Sequence, residues 1–165
     1  MNNEDGESPT QKSQRISNSR LKQAIISLVK SSFGNRAGSY LPCSAYRLRL
    51  LLYLAELEWA DDRGSTYLGY TYIYAANGPW FEEFDRSLHS LVGLELAEAS
   101  QPHEATIEYK PGHHFRNFEE LDPSFEMLLF EIKRRYHFHA ISSIKNLVYG
   151  TAPMAGAGLG DVLLK

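Results

Sequence analysis

Six histidines are the residues of this sequence whose types and spacing could bind a metal ion. His113 and His114 are adjacent, whereas His137 and His139 are separated by one residue. On a strand the second pair would place both rings on one face, but on a helix the two rings diverge. Zinc sites usually also contain a carboxylate or thiolate, and the sequence has neither an HExxH nor a CxxC motif. We predict no metal site and no cofactor; the alternative is a small enzyme that uses one of these histidines.

Catalytic side chains other than histidine have no recognisable pattern. Nucleophilic catalysis needs an activated serine, cysteine or threonine beside a base. The sequence contains no GxSxG motif, and neither Cys43 nor the pair Ser142 and Ser143 lies in a catalytic signature. Paired carboxylates are adjacent in sequence, which points them apart on a helix and is typical of solvated faces. These pairs are Asp61–Asp62, Glu82–Glu83 and Glu119–Glu120. We therefore predict no catalytic residues and a protein that is not an enzyme.

Aromatic residues are concentrated between positions 67 and 84. Three tyrosines alternate over positions 70 to 74, which favours a strand, although the same stretch could equally begin a short helix. Tyrosine and tryptophan are frequent anchors of protein interfaces, so a protein-binding surface is one interpretation and core packing is the other. The candidate protein-binding residues are Tyr70, Tyr72, Tyr74 and Trp80.

The charge balance argues against nucleic acid as a partner. The chain has 17 Lys plus Arg against 20 Asp plus Glu, a net charge of −3. A local basic surface is the alternative, because basic residues cluster at 133–135 and again at Arg47 and Arg49. The helix predicted over 81–92, however, carries Glu82, Glu83 and Asp85 with a single arginine, and would repel phosphates.

Length and composition predict one globular domain without a membrane span. The 165 residues are 43% hydrophobic and 22% charged, as in ordinary globular proteins. The longest apolar run, around 50–55, is far shorter than the ~20 residues that a span needs. The first residues contain no apolar region of a signal peptide, and the single cysteine, Cys43, excludes an internal disulfide and fits a reducing compartment. We expect a cytoplasmic protein in which Cys43 is a core thiol.

Helical periodicity predicts the elements that must position these residues. The stretch 45–59 is apolar nearly all round, which is typical of a buried helix, and Ser44 can cap its start. Asp122 followed by Pro123 marks another helix start. The predicted helices span 19–32, 45–59, 81–92, 123–137 and 141–149.

Two short alternating runs joined by a polar turn predict a β-hairpin near 94–110. The expected fold class is α+β and mostly α-helical, a single compact domain over 18–155 with a buried central helix and this small hairpin. Residues 1–17 are polar and are expected to be a disordered tail. Residues 156–165 are expected to be a loose Gly/Ala-rich C-terminal tail, pinned by the apolar residues Val162–Leu164. A hairpin directly after helix 81–92 is also the order found in a winged helix, so a winged-helix-like DNA-binding regulator is the alternative function.

The segment from Arg47 to Pro79 resembles the Panacea domain, also called the SocA-like antitoxin domain. That family shows Lys-Leu-x-Lys-Leu-Leu-Tyr, a turn with glycine, and Ala-x-x-x-Gly-Pro before a helix. This sequence has Leu51-Leu52-Tyr53, then Gly64, then an alanine at 75 or 76 and Gly78-Pro79. The resemblance covers roughly residues 20–155.

The sequence departs from the family pattern in three places. The second lysine of the family motif is replaced by Leu50 or shifted to Arg49. Trp80 follows Gly-Pro, where the family commonly has a smaller aliphatic residue. The His-x-x-x-Pro-Trp of the family's C-terminal half is here Tyr149-Gly150-Thr151-Ala152-Pro153-Met154, without the histidine and the tryptophan.

The resemblance implies a mostly helical, non-enzymatic antitoxin-like domain of a bacterium, phage or prophage. Such a domain neutralises a protein toxin by direct binding, or acts as an adaptor that delivers one to a protease. The motif positions Tyr53, Gly78 and Pro79 are expected to be structural. Gly78 and Pro79 would form a turn that directs helix 81–92, and Tyr53 would pack beneath that turn with its hydroxyl bonded to a backbone carbonyl.

Overall fold

The computed structural model describes residues 8–30, 43–93, 95–98, 107–112, 118–136 and 138–165. Within these ranges the chain forms helices α1 (Pro9–Lys30), α2 (Ala45–Arg63), α3 (Glu82–Leu91), α4 (Pro123–Tyr136), α5 (Ile141–Tyr149) and α6 (Ala152–Ala155). The strands are β1 (Cys43–Ser44), β2 (Tyr72–Ala75), β3 (Gly78–Trp80), β4 (Leu96–Glu98), β5 (Glu108–Pro111) and β6 (Val162–Leu164). The predicted fold class, α+β and mostly α-helical, is confirmed.

Helix α2 is the buried centre of the fold, as its apolar pattern predicts. Ser44 caps it, because its Oγ accepts a hydrogen bond from the Arg47 backbone N–H at 3.2 Å. Gly64 ends it with a left-handed φ of +81°, a conformation that glycine adopts without strain. Helices α1, α4 and α5 pack on it, so all of its residues from 50 to 56 are buried.

Two small antiparallel sheets flank the helices. The first has strand order β1-β5-β4 and contains the predicted hairpin, β4–β5, with Leu96 opposite Pro111. The second has strand order β3-β2-β6. Its outer strand β6 lies in the segment expected to be a loose tail, and Leu163 anchors this strand in the core with 8% of its surface exposed.

The first helix begins earlier than predicted, and the expectation of a disordered tail through residue 17 is wrong for residues 9–17. Helix α1 begins at Pro9 because Ser8 and Gln11 form a capping box. The Gln11 backbone N–H donates to Ser8 Oγ at 3.3 Å, and the Ser8 N–H donates to Gln11 Oε1 at 3.0 Å. Proline at the first helical position strengthens this start. The rest of the predicted tail, 1–7, lies outside the described residues.

None of the helices formed by the described residues is long and apolar enough to cross a membrane. Cys43 is buried in the core as expected, and burial raises the pKa of its thiol to about 12. A thiol held protonated in this way is a poor nucleophile.

Candidate protein-binding surface

Gly78 and Pro79 form the start of strand β3 and not the predicted turn. Ala76 and Asn77 make the turn of the β2–β3 hairpin instead, with negative φ angles, and Gly78 follows them with φ +96°. A right-handed turn followed by a left-handed glycine is a common hairpin loop. The prediction failed because Gly-Pro on its own is a turn signal. Here Gly78 pairs with Ala75 and Pro79 with Tyr74, and this pairing depends on the strand that precedes the turn.

Replacing Gly78 with alanine is expected to lower the free energy of unfolding by about 1–2 kcal/mol, because a left-handed backbone costs an L-residue about that much. The new methyl group would also lie 3.5 Å from the Tyr149 ring. Urea denaturation followed by circular dichroism measures the change. The matched control is Gly156→Ala, at φ −108° with open space around the new methyl group, and should change stability little. Equal effects of the two substitutions would contradict the left-handed hairpin geometry.

Tyr53 is a core residue, but its predicted surroundings are wrong. The side chains nearest to Gly78 belong to Tyr149 and Leu50, not to Tyr53. The Tyr53 hydroxyl lies 3.4 Å from Thr151 Oγ1. The Thr151 hydroxyl in turn donates a hydrogen bond to the Val148 carbonyl at 2.6 Å. Tyr53 therefore connects α2 to the end of α5. Its partner Thr151 lies 98 positions further along the chain, so sequence periodicity could not predict this contact.

Two of the four candidate protein-binding residues serve the interior. Tyr72 is completely buried, with its ring edge-on to Tyr53 at 5.5 Å, so its prediction as a surface residue is wrong. Tyr70 is half-buried; it stacks on Phe81 at 4.9 Å and donates its hydroxyl to Asn18 Oδ1 at 2.6 Å. The side chains of Tyr70 and Tyr72 are directed toward the helices, Tyr70 toward α1 and Tyr72 toward α2.

The other two candidates, Tyr74 and Trp80, remain partly exposed. Tyr74 lies edge-on to Tyr149 of α5, with ring centroids 6.0 Å apart. Trp80 donates its indole N–H to Asp85 Oδ2 of α3 at 2.8 Å. Both rings are therefore held by neighbouring helices while part of each stays accessible to a partner.

Tyr74 belongs to a cluster that joins the hairpin to α2 and α5. We call Tyr46, Arg49, Tyr74 and Tyr149 the tyrosine surface; all four are half-buried. The Arg49 guanidinium carbon lies 5.6 Å from the centroid of the Tyr46 ring, a cation–π distance. On α5 the Lys145 ammonium lies 5.5 Å from the Tyr149 ring centroid. Sequence reasoning missed Tyr46, Lys145 and Tyr149, although Arg49 stood out as part of a basic pair.

Burial favours the protonated hydroxyls of Tyr46 and Tyr149 on this surface. Burial raises the pKa of Tyr46, and the nearby Tyr149 hydroxyl raises it further. Burial likewise raises the pKa of Tyr149, with Tyr74 adding to the effect. The hydroxyls of Tyr46 and Tyr149 therefore stay protonated at neutral pH and can donate hydrogen bonds to a ligand.

Two of the three basic residues at 133–135 are bound to partners within the chain. Lys133 is buried, donates to the Val29 carbonyl at 3.3 Å, and has its pKa lowered by burial to about 8. Arg135 forms an ion pair with Glu58 at 3.0 Å. On α2, Arg47 donates to the His139 carbonyl. Lys133, Arg135 and Arg47 are therefore already engaged by partners within the chain, whereas Arg134 is exposed.

The histidine candidates lie mostly in parts of the chain that the structure leaves out. His113, His114 and His137 are outside the described residues, and His139 is exposed at the start of the segment leading to α5. Among the described residues no group of three or more His, Cys, Asp or Glu side chains could hold a metal ion.

The tyrosine surface combines residue types that are enriched at the energetic centres of protein interfaces, tyrosine and arginine. No family model matches this chain, and no curated protein or solved structure is significantly similar to it.

Proposed function

We propose that this chain is a non-enzymatic, cytoplasmic protein-interaction module of the antitoxin type. It would neutralise a protein toxin by direct binding, or act as an adaptor that brings one to a protease. The resemblance of the Leu51-Leu52-Tyr53 and Gly78-Pro79 motifs to the Panacea domain supports this proposal, and implies a bacterial, phage or prophage toxin–antitoxin system.

The single observation that carries the proposal is the tyrosine surface. Its rings are fixed by contacts between elements, such as Tyr74 against Tyr149, so little side-chain freedom is lost when a partner binds. Rigid, partly exposed aromatic residues around an arginine supply large contact area together with hydrogen-bond donors. The proposal therefore places the partner against the hairpin and the helices α2 and α5.

The test is capture of a partner by the full-length protein from host lysate at about 150 mM salt, with and without nuclease. We expect a nuclease-resistant protein in stoichiometric amount, whose toxicity on expression is relieved when this chain is co-expressed. Tyr46→Ala and Tyr149→Ala should each lose the partner while keeping a native circular dichroism spectrum.

The matched control is Met127→Ala, which removes an exposed apolar side chain on α4, away from the tyrosine surface. This variant should capture the partner as the wild type does. Failure of the wild type to bind any protein, or binding that all three variants retain equally, contradicts the proposal.

A winged-helix-like DNA-binding regulator is the second candidate, favoured by the hairpin β4–β5 that follows α3 and pairs with β1. Against it, Glu82 and Asp85 are exposed on α3, and Arg86 is already paired with Glu82. Retention on duplex DNA decides between the two. A phosphate-binding protein loses affinity by roughly a thousandfold between about 50 and 200 mM salt, whereas no retention at low salt removes this candidate.

A further inference from the structure

Arg49 stands out on the tyrosine surface because it is half-buried and has no hydrogen-bond or ion-pair partner among the described residues. Its Nε atom has no contact with solvent and donates no hydrogen bond. Among the described residues Arg49 makes no ion pair and no other hydrogen bond, so its outer guanidinium nitrogens remain accessible but unused. A charged group that is partly removed from water without a hydrogen-bond partner lowers stability.

Asp85 acts on Arg49 electrostatically but leaves its guanidinium able to bind a partner. Asp85 lies close enough to act on Arg49 electrostatically, but burial is the larger influence and lowers the pKa of the guanidinium. The Asp85 Oδ2 atom instead accepts the hydrogen bond from Trp80 Nε1 at 2.8 Å. Arg49 therefore packs against Tyr46 and forms no ion pair with a carboxylate of the described residues.

A second cation and a hydroxyl complete the surroundings. Tyr149 interacts electrostatically with Arg49, and the Lys145 ammonium lies 5.5 Å from the Tyr149 ring. Two positive groups therefore act on Tyr149, Lys145 over its ring and Arg49 electrostatically. This arrangement suits an anion that can accept two parallel N–H bonds from the guanidinium and a third hydrogen bond from the hydroxyl.

We propose that Arg49, framed by Tyr46 and Tyr149, anchors a single carboxylate of the partner protein, an Asp or Glu side chain that docks on the tyrosine surface. The inference rests on the proposed function and names the chemistry of the partner at that surface.

A carboxylate fits this site better than a phosphate or a nucleic-acid backbone. Asp85 is close to Arg49, and Glu82 and Glu83 lie in the first turn of the same helix. These carboxylates would repel a polyanion or a doubly charged phosphate more strongly than a single carboxylate. Asp85 is the carboxylate that acts on Arg49 directly, whereas Glu82 is paired with Arg86. The Arg49 and Lys145 charges exceed the Asp85 charge by one, so one further carboxylate balances the site.

The test uses the captured partner with purified full-length protein. Arg49→Leu is expected to weaken binding at least ~30-fold, because truncating one member of a desolvated charge pair has an effect of that order or greater. Arg49→Lys should recover only part of the affinity, since an ammonium lacks the two-pronged geometry. The matched control is Arg63→Leu, at the other end of α2, which also lies over an aromatic ring, Trp59 at 3.6 Å, and should bind as the wild type does.

Carbodiimide cross-linking locates the carboxylate directly. The reagent activates a partner carboxylate, the Lys145 amine displaces the activated group to form an amide, and the carbodiimide leaves as a urea. Mass spectrometry should find Lys145 joined to an Asp or Glu of the partner, and Lys145→Arg, which keeps the positive charge but has no amine that forms the amide, should remove this product.

A purely structural role for Arg49 predicts a different result. The free Arg49→Leu variant should then melt below the wild type, whereas the proposal expects an unchanged or higher Tm, because an unpaired charge is removed from a half-buried site. Equal affinity of wild type and Arg49→Leu, with binding still lost in Tyr149→Ala, overturns the carboxylate anchor and leaves the proposed function standing. Absence of any protein partner overturns both.

Discussion

Replacing Phe125 with alanine is expected to lower the free energy of unfolding by about 4 kcal/mol, the size typical of deleting a buried phenylalanine ring. Phe125 is completely buried where α4 meets α2. Its ring stacks on Tyr67 at 4.1 Å and meets Trp59 edge-on at 5.3 Å. The Tyr67 hydroxyl accepts the Asp122 backbone N–H at 2.6 Å, so this cluster also fixes the start of α4. Calorimetry should show a Tm lower by about 8–16 °C.

The same helix offers the control for this substitution. Phe130 lies five residues further along α4 with 41% of its surface exposed. Phe130→Ala should therefore lower the free energy of unfolding by about 1 kcal/mol or less. A similar loss in both variants would show that the aromatic cluster of Trp59, Tyr67 and Phe125 does not form the core between α2 and α4.

Glu56→Gln is expected to remove a strong pH dependence of stability. Glu56 is completely buried on α2, and its carboxylate accepts the backbone N–H groups of Tyr67 at 2.6 Å and Leu68 at 3.0 Å. Burial raises the pKa of Glu56 from 4.5 to about 7, and the two hydrogen bonds only partly oppose this rise. The folded state therefore binds more protons than the unfolded state between these values.

The direction of the effect follows from the raised pKa. The contribution of Glu56 to stability is fully present below pH 4.5 and is lost as the pH rises through about 7. Across this window the wild type should lose about 3 kcal/mol relative to Glu56→Gln, whose amide does not titrate. Urea denaturation at several pH values measures the free energy of unfolding of both proteins. The histidines are the same in both, so their contribution cancels in the difference and only the effect of Glu56 remains.

The exposed Glu126 on α4 gives the matched comparison. Glu126→Gln should follow the wild type across the same pH range, because its side chain stays in water in both states. If the difference in free energy of unfolding between wild type and Glu56→Gln did not change with pH, the buried Glu56 carboxylate would not bind the backbone N–H groups of residues 67–68 as described.

The helices were predictable because their signals are local. The apolar residues of α2 and its cap at Ser44 lie within a few positions of one another, and so do Asp122 and Pro123 at the start of α4. The capping box of Ser8 and Gln11 was equally readable, but the polar composition of the first residues outweighed it. Local patterns therefore predicted the existence of each long helix better than its first residue.

The candidate site was only partly predictable. Tyr74 and Trp80 were found from residue type, and both remain accessible. Tyr72 obeys the same alternation as Tyr74, yet it is buried because its ring packs edge-on against Tyr53 and Phe81, whereas Tyr74 meets Tyr149 and stays partly exposed. A period of two assigns residues to a common face but carries no information about which face meets the core.

The sequence by itself determined the α+β class, the central helix and the hairpin after α3, because caps and periodicity depend on neighbours a few residues apart. Only the tertiary structure decided the pairing of Gly78 with Ala75, the contact of Tyr53 with Thr151 and the isolation of Arg49. The contact of Arg49 with Tyr46 is local, because the two residues lie one helical turn apart. Whether a carboxylate among the described residues pairs with Arg49 depends instead on which side chains of α3, α5 and the hairpin lie beside it. Burial and charge pairing are sums over residues distant in the chain, so they are fixed only when the elements pack together.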